Sequence, residues 1–336
     1  MDTPARYRTK VATWLFVVAA MIFVMIVLGG ATRLTGSGLS IMEWAPIMGT
    51  LPPLSGAEWQ RLFGLYQKIP QYKLLNKGMD IGGFQRIFLL EYLHRLWGRL
   101  LGLAFLLPLI GFAVVGAIPR RFIPRLVLLF LLGGLQGAVG WFMVASGFDA
   151  DSIAVAPTRL VLHLVFALLL YVALLWTALG VLHPSRRDAP RLALLRLRFS
   201  VALVGLTIAA GGFVAGLHAG LTYNSFPLMD GHLVPDGYAQ LHPFWRNWIE
   251  NIAAVQFNHR LLATVTVLVV LQAAATARRA TPRAALALTG AALLQYGLGV
   301  VTLLLVVPIP AAILHQAMAV LLLTAAIVAL HAQTHA

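Results

Sequence analysis

Four histidines, His94, His163, His259 and His315, stand inside long apolar runs of a 336-residue chain that has no cysteine. Without thiols, thiolate-ligated haem, iron–sulfur clusters and cysteine-based zinc sites are excluded, and imidazole becomes the leading candidate metal ligand. The four fall into two pairs, His94 with His163 and His259 with His315, spaced by 69 and 56 residues. Each interval is long enough for two helices and their connections, so two imidazoles on parallel helices can face each other across a bundle. A planar macrocycle between them would have an axial nitrogen on each face, which is the chemistry of a bis-histidine haem. Two histidines without Asp or Cys make a poor closed zinc site. The other reading of an intramembrane histidine is a hydrogen bond to a neighbouring helix. Four of them in a repeated pattern favour ligation, because polar groups in membrane spans are costly and usually functional. His183, His218, His232, His242, His331 and His335 fall in loops or near a terminus and are expected to be solvated.

Beside these ligands stand charges of both signs. Arg95 and Arg260 directly follow His94 and His259, and Arg33 and Arg99 lie at the same expected membrane face. The two propionates of a haem need cationic partners, and arginine offers a bidentate fork; plain snorkelling to the interface is the alternative. Glu91 lies three residues before His94, so both project from one helical face. The corresponding residue before His259 is Gln256, which cannot ionise. One half therefore has ligands plus a carboxylate able to take a proton, and the other has ligands alone. Pairing of Glu91 with Arg95 at i,i+4 is the purely structural alternative. The asymmetry suggests chemistry in the first half and electron transfer in the second.

The elements that position these residues are membrane helices. The chain is 60% hydrophobic and 11% charged, with a mean hydropathy of +0.85. Soluble domains carry roughly 25% charged residues. Runs such as Val11–Ala31, Leu100–Ile118 and Leu261–Thr276 approach or reach the roughly 20 apolar residues that span a bilayer. Eight apolar segments are predicted, at 11–32, 88–118, 122–146, 159–182, 199–218, 257–277, 283–307 and 309–331. The first has a basic flank but is longer than a signal-peptide core and precedes no A-x-A-like cleavage site, so it is expected to be retained. The net charge of +14 sits in clusters between apolar runs, which sets orientation in a membrane rather than signalling nucleic acid. Arg6, Arg8 and Lys10; Arg120, Arg121 and Arg125; Arg186, Arg187, Arg191, Arg196 and Arg198; and Arg278, Arg279 and Arg283 all fall on one side. Both termini are then cytoplasmic, and the loops at 33–87 and 219–256 face outward. Ser55-Gly56-Ala57-Glu58 opens a short amphipathic helix through about Lys68 in the first of these loops.

The chain also repeats itself. Gly29-Gly30 with Gly38-Leu39-Ser40 matches Gly211-Gly212 with Gly220-Leu221-Thr222, and Glu91-Tyr92-Leu93-His94-Arg95 matches Gln256-Phe257-Asn258-His259-Arg260. Gln136-Gly137-Ala138-Val139-Gly140 matches Gln295-Tyr296-Gly297-Leu298-Gly299, and His163 matches His315. The expected fold is an all-α polytopic membrane protein of eight transmembrane helices, arranged as two homologous four-helix bundles in parallel repeat. The halves are residues 1–185, with the substrate site, and 186–336, with the cofactor site. All four histidines then lie within about two turns of the outward end of an even-numbered helix, near the periplasmic face.

These residues resemble the haem A synthase family in its mitochondrial and proteobacterial form, which lacks a loop cysteine pair. The resemblance rests on GGATRLTGSGLSIMEWAPIMGTLPP (29–53), EYLHRLWGR (91–99) and QGAVGWFMVASG (136–147). It continues through AGLTYNSFPLMDG (219–231), VQFNHR (255–260), QYGLGVVTLL (295–304) and HQAMA (315–319). Less typical are His218 and the acidic Asp149-Ala150-Asp151 loop. The resemblance implies conversion of haem O to haem A in the bacterial inner membrane: the C8 methyl is hydroxylated twice and water is lost to leave a formyl group. It implies haem b as cofactor at His259 and His315 with Arg260 nearby. Haem O would bind at His94 and His163, with Arg95, Arg33 and Arg99 around it and Glu91 as the catalytic residue. Implied partners are haem O synthase (the protohaem farnesyltransferase), an unidentified electron acceptor and membrane lipid, with no nucleic acid. The alternative is a membrane di-haem b-type electron-transfer cytochrome, which leaves the contrast between Glu91 and Gln256 unexplained.

Overall fold

A computed structural model describes residues 3–43, 48–150, 152–185 and 188–335. Arg186, Arg187, Asp151 and part of the 29–53 segment lie outside these. Among the described residues the regular elements are all helical, and Met229 and His232 form an isolated bridge. Eight helices are long and apolar enough to cross a membrane. They are α1 (Ala5–Leu34), α4 (Ile81–Val114), α5 (Ile123–Ala145), α6 (Pro157–Leu182), α7 (Arg191–Gly216), α9 (Ile252–Ala277), α10 (Pro282–Leu304) and α11 (Ile309–Thr334). The protein is an integral membrane protein. Between the spans lie three short helices, α2 (Gly56–Tyr66), α3 (Pro70–Leu74) and α8 (Asn247–Glu250).

Local chemistry starts these helices. The α6 and α10 helices open on Pro157 and Pro282, where the missing N–H costs nothing. Ser55 caps α2 by accepting from the Glu58 amide at 3.2 Å, and Asp80 caps α4 by accepting from the Gly83 amide at 2.7 Å. Two boundaries differ from the expected ones. The α4 helix begins at Ile81 rather than 88 because Phe84 and Phe88 continue its buried face beyond the membrane run, where Trp59 and Phe63 of α2 pack against them. The α7 helix begins at Arg191 rather than 199, so Arg191, Arg196 and Arg198 lie in its first turns rather than in a loop. Leu, Ala and Arg are good helix formers, and a helix can run on past the hydrocarbon where arginines reach water.

The eight spans form two rings. The α1, α4, α5 and α6 helices pack in cyclic order, α1 on α4, α4 on α5, α5 on α6 and α6 on α1. The α7, α9, α10 and α11 helices do the same. In each ring the second and fourth helices stand diagonally. The rings meet through α6 against α7, α1 against α11 and α6 against α11. The core accordingly concentrates where these four helices converge, on Leu15, Val18, Ala178, Leu197, Leu323 and Ile327.

Candidate haem sites

Each candidate ligand sits on the second or fourth helix of its ring: His94 on α4, His163 on α6, His259 on α9 and His315 on α11. The pairing expected from spacing thus falls on the diagonal of each ring. His163, His259 and His315 lie six or seven residues into their helices, whereas His94 lies thirteen residues into α4. The expectation of two turns fails at His94 because of the outward extension of α4 over α2.

A glycine of the preceding membrane-length helix faces every one of the four rings. A Cβ built on Gly29 would lie 3.2 Å from His94 Nε2, and one on Gly140 would lie 2.9 Å from His163 Cε1. Gly211 stands 3.0 Å from His259 Cε1, and Gly299 2.9 Å from His315 Cε1, by the same measure. Any side chain there would push the imidazole off its place. The repeated glycines of the sequence are therefore the backs of four imidazole seats, a role that the repeat alone did not reveal. The Nδ1 atoms of His259 and His315 are buried without a well-aligned hydrogen bond, and the main-chain carbonyls of Thr207 and Gln295 stand beside the two rings. Paired imidazoles in glycine-backed seats on diagonal helices suit an iron macrocycle, whose two faces each need one nitrogen. No closed cluster of three or more His, Cys, Asp or Glu able to hold a bare metal ion occurs among the described residues.

Above the rings, position 91 and its counterpart 256 hold the loops that follow α1 and α7. The Glu91 side chain is 3% exposed overall and accepts five hydrogen bonds. Its Oε2 accepts from the Ser40 amide (2.8 Å), the Ser40 hydroxyl (2.7 Å) and the Ile41 amide (3.0 Å). Its Oε1 accepts from Arg95 Nε (3.1 Å) and Nη2 (2.7 Å). Gln256, 2% exposed, reverses the polarity. Its Nε2 donates to the carbonyls of Ala219 (2.7 Å) and Thr222 (2.6 Å), and its Oε1 accepts from Arg260 Nη2 at 3.0 Å.

The arginines are engaged with the same loops. Arg95 donates to the carbonyls of Ile41 (2.9 Å) and Glu43 (3.1 Å), and Arg260 to those of Ser225 (2.8 Å) and Tyr223. Arg33 reaches into the other ring, donating to the carbonyls of Ala215 and Gly216 and meeting His218 Nδ1 at 3.2 Å. Arg99 lies one turn beyond Arg95 on α4.

Two histidines are not the free loop residues expected. His218 adopts a left-handed conformation (φ 54°) at the position where the first half has Gly36 (φ 67°). Desolvation and the Arg33 cation beside it lower its pKa. His331 is 2% exposed inside α11, edge-on to Trp176 and stacked on His335 with centroids 4.0 Å apart. The terminal apolar run had hidden it, because α11 continues to Thr334 and packs against the C-terminal end of α6.

Fold and site together define a polytopic helical membrane protein with paired imidazoles in two four-helix rings. The chain matches the model of the cytochrome oxidase assembly protein family COX15-CtaA over residues 12–327, and it belongs to that family. It is 63% identical over 332 residues to a protein of Granulibacter bethesdensis named heme A synthase, covering 97% of this chain and 88% of that one. It is 51% identical to the heme A synthase of Rhodospirillum centenum, with 93% and 85% covered. A heme A synthase 2 of Acidiphilium cryptum is 48% identical, with 95% and 90% covered.

Proposed function

We propose that this protein is a haem A synthase, an oxidoreductase that takes haem O as substrate and oxidises its C8 methyl through two successive hydroxylations to a formyl group. The observation that carries this reading is the likeness, along nearly the whole chain, to relatives named heme A synthase. The two rings are read as homologous halves, residues 1–185 and 186–336. The first holds haem O between His94 and His163, and the second holds a resident haem b between His259 and His315. Haem b supplies one-electron redox capacity when bound. The substrate belongs in the first half because only there does an ionisable group, Glu91, stand one helical turn from a ligand.

Each side chain has a task in this reading. His94 and His163 clamp the substrate from both faces and fix which edge meets Glu91. Glu91 accepts protons released as the methyl is oxidised; a positioned base contributes typically 10²–10⁴-fold to such steps. With five donors around its carboxylate, the base is made available by release of Ser40 and Ile41. Proton acceptance and movement of that loop are thereby coupled. Arg95 and Arg260 hold the loops above the rings, and with Arg33 and Arg99 they present positive charge to the propionates. Both termini are cytoplasmic and both sites lie toward the periplasmic face, so reporter fusions at residues 60, 150 and 235 should all read as periplasmic. Haem O synthase is the partner that delivers substrate, and a separate electron acceptor completes the reaction.

The test is to supply haem O to membranes containing the protein and extract the haems. Hydroxymethyl and formyl haems are expected. Unchanged haem O beside a normal bis-histidine spectrum would make the protein an electron-transfer cytochrome instead.

A further inference from the structure

Two glutamines have no role in the reading above. Gln136 of α5 and Gln295 of α10 occupy repeated positions, each on the helix before a candidate ligand. Gln136 Nε2 donates to the His163 carbonyl at 2.9 Å and lies 3.1 Å from His163 Nδ1. Its carboxamide oxygen is buried with no hydrogen-bond partner, and the Gln295 carboxamide oxygen is in the same state. His315 Nδ1, the counterpart of the ring atom that Gln136 meets, is buried and makes no well-aligned hydrogen bond, although the Gln295 main-chain carbonyl lies beside that ring. A buried unsatisfied acceptor costs about 1–3 kcal/mol. Two at equivalent positions, each on the helix that packs beside a ligand-bearing one, call for a donor.

Ligation supplies one. A neutral imidazole carries its hydrogen on one nitrogen only. While Nδ1 of His163 accepts from Gln136, that hydrogen sits on Nε2. Iron bound at Nε2 moves it to Nδ1, and a ligating histidine almost always donates its second N–H to an oxygen. A half-turn of the terminal carboxamide exchanges its NH2 for its oxygen, so that the bond to the His163 carbonyl gives way to the bond from the ring.

We propose that Gln136 and Gln295 are positioning residues whose carboxamide oxygens accept the Nδ1 hydrogens of His163 and His315 when those rings ligate haem iron. The inference rests on the haem-ligand reading. It gives each haem one ring steered by a side chain, on α6 or α11. The opposite ring is steered differently: His259 has the Thr207 main-chain carbonyl beside it rather than a carboxamide. Accepting that hydrogen makes the imidazole a stronger donor, which favours ferric iron and lowers the potential.

The test uses purified holoprotein with haem in the C-terminal half. Gln295→Leu removes the acceptor, and Gln295→Met does so with closer shape should the leucine variant fold poorly. Both should raise the haem midpoint potential and weaken haem affinity by roughly 10–100-fold. Gln295→Glu offers a stronger acceptor and should lower the potential. Opposite signs are the signature, because loss of packing alone would not reverse between the variants. Shifts in one direction, or none, overturn the inference. His315→Ala separates the two levels. If it leaves the bis-histidine spectrum intact, the haem-ligand reading fails; if it abolishes the spectrum while the Gln295 variants do not move the potential, only the role of the glutamine fails.

Discussion

The N-terminal parts of α4 and α9 carry the same histidine–arginine pair, yet they hold their loops by opposite chemistry. In the first half a carboxylate gathers two backbone amides, a hydroxyl and a guanidinium. In the second a carboxamide donates to two backbone carbonyls. The loops have adapted, presenting N–H at Ser40 and Ile41 but C=O at Ala219 and Thr222. Their covers differ too. The first outward loop folds into an aromatic cap in which Phe84 is fully buried among Phe63, Tyr66 and Phe88, whereas the second leaves Trp245 54% exposed. Two rings of like helix order thus carry unequal sites: the glycine seats and imidazoles are shared, and the group one turn before the first imidazole is not.

The largest expected effect separates the halves outright. His259→Ala or His315→Ala should remove or convert the low-spin haem b spectrum, while His94→Ala should leave most of it. Loss in His94→Ala with retention in His259→Ala would show that the roles of the halves are reversed. Next comes the polarity itself. Gln256→Glu would set a carboxylate against the Ala219 and Thr222 carbonyls, leaving buried acceptors without donors. A destabilisation of about 1–3 kcal/mol is expected, read as a lower thermal midpoint. An unchanged midpoint would mean that the second loop is free to rearrange. A similar magnitude, about 1–3 kcal/mol, is expected from overpacking in Gly299→Ala or Gly211→Ala, with weakened haem binding. Gly29→Ala, with its slightly wider seat, should be milder. The smallest effect lies on the first cap. Hydrogen bonds from Arg61 lower the pKa values of Glu43 and Glu58, so any stabilisation they give is present above the usual carboxylate pKa and fades as pH falls through the lowered values. Because the cluster is exposed, Arg61→Ala should barely move the midpoint near neutral pH.

Much of this was legible in the sequence, for identifiable reasons. Spans announce themselves because lipid demands about 20 apolar residues, and the eight runs match eight helices to within a turn or two. The ligand candidates were legible because histidine is rare inside such runs. Hydropathy could not reveal that α4 extends outward to Ile81, since Phe84 and Phe88 earn their burial from α2 rather than from lipid. Nor could it show that His331 is buried, because its neighbours are side chains of α6 distant in sequence. The sequence also marked Glu91 as unusual without disclosing its five donors. Ser40 and Ile41 lie about fifty residues away, and nothing in their local pattern advertises the contact. The arginines were expected to meet propionates, and the loop carbonyls they hold could be found only in three dimensions.

Glu91→Gln tests most directly the claim that the first half does the chemistry. Glutamine keeps one oxygen for the loop amides but turns an NH2 toward either Arg95 or Ser40, so some loosening of the loop is expected with loss of the base. Ser40→Ala weakens the same latch and leaves the carboxylate in place, which separates the two roles. Each variant should be supplied with haem O, its haem b spectrum recorded and its haems extracted. The account predicts a retained haem b spectrum in both, little or no haem A from Glu91→Gln, and substantial haem A from Ser40→Ala. Near-normal haem A from Glu91→Gln would contradict it, reducing Glu91 to a structural partner of Arg95 and Ser40.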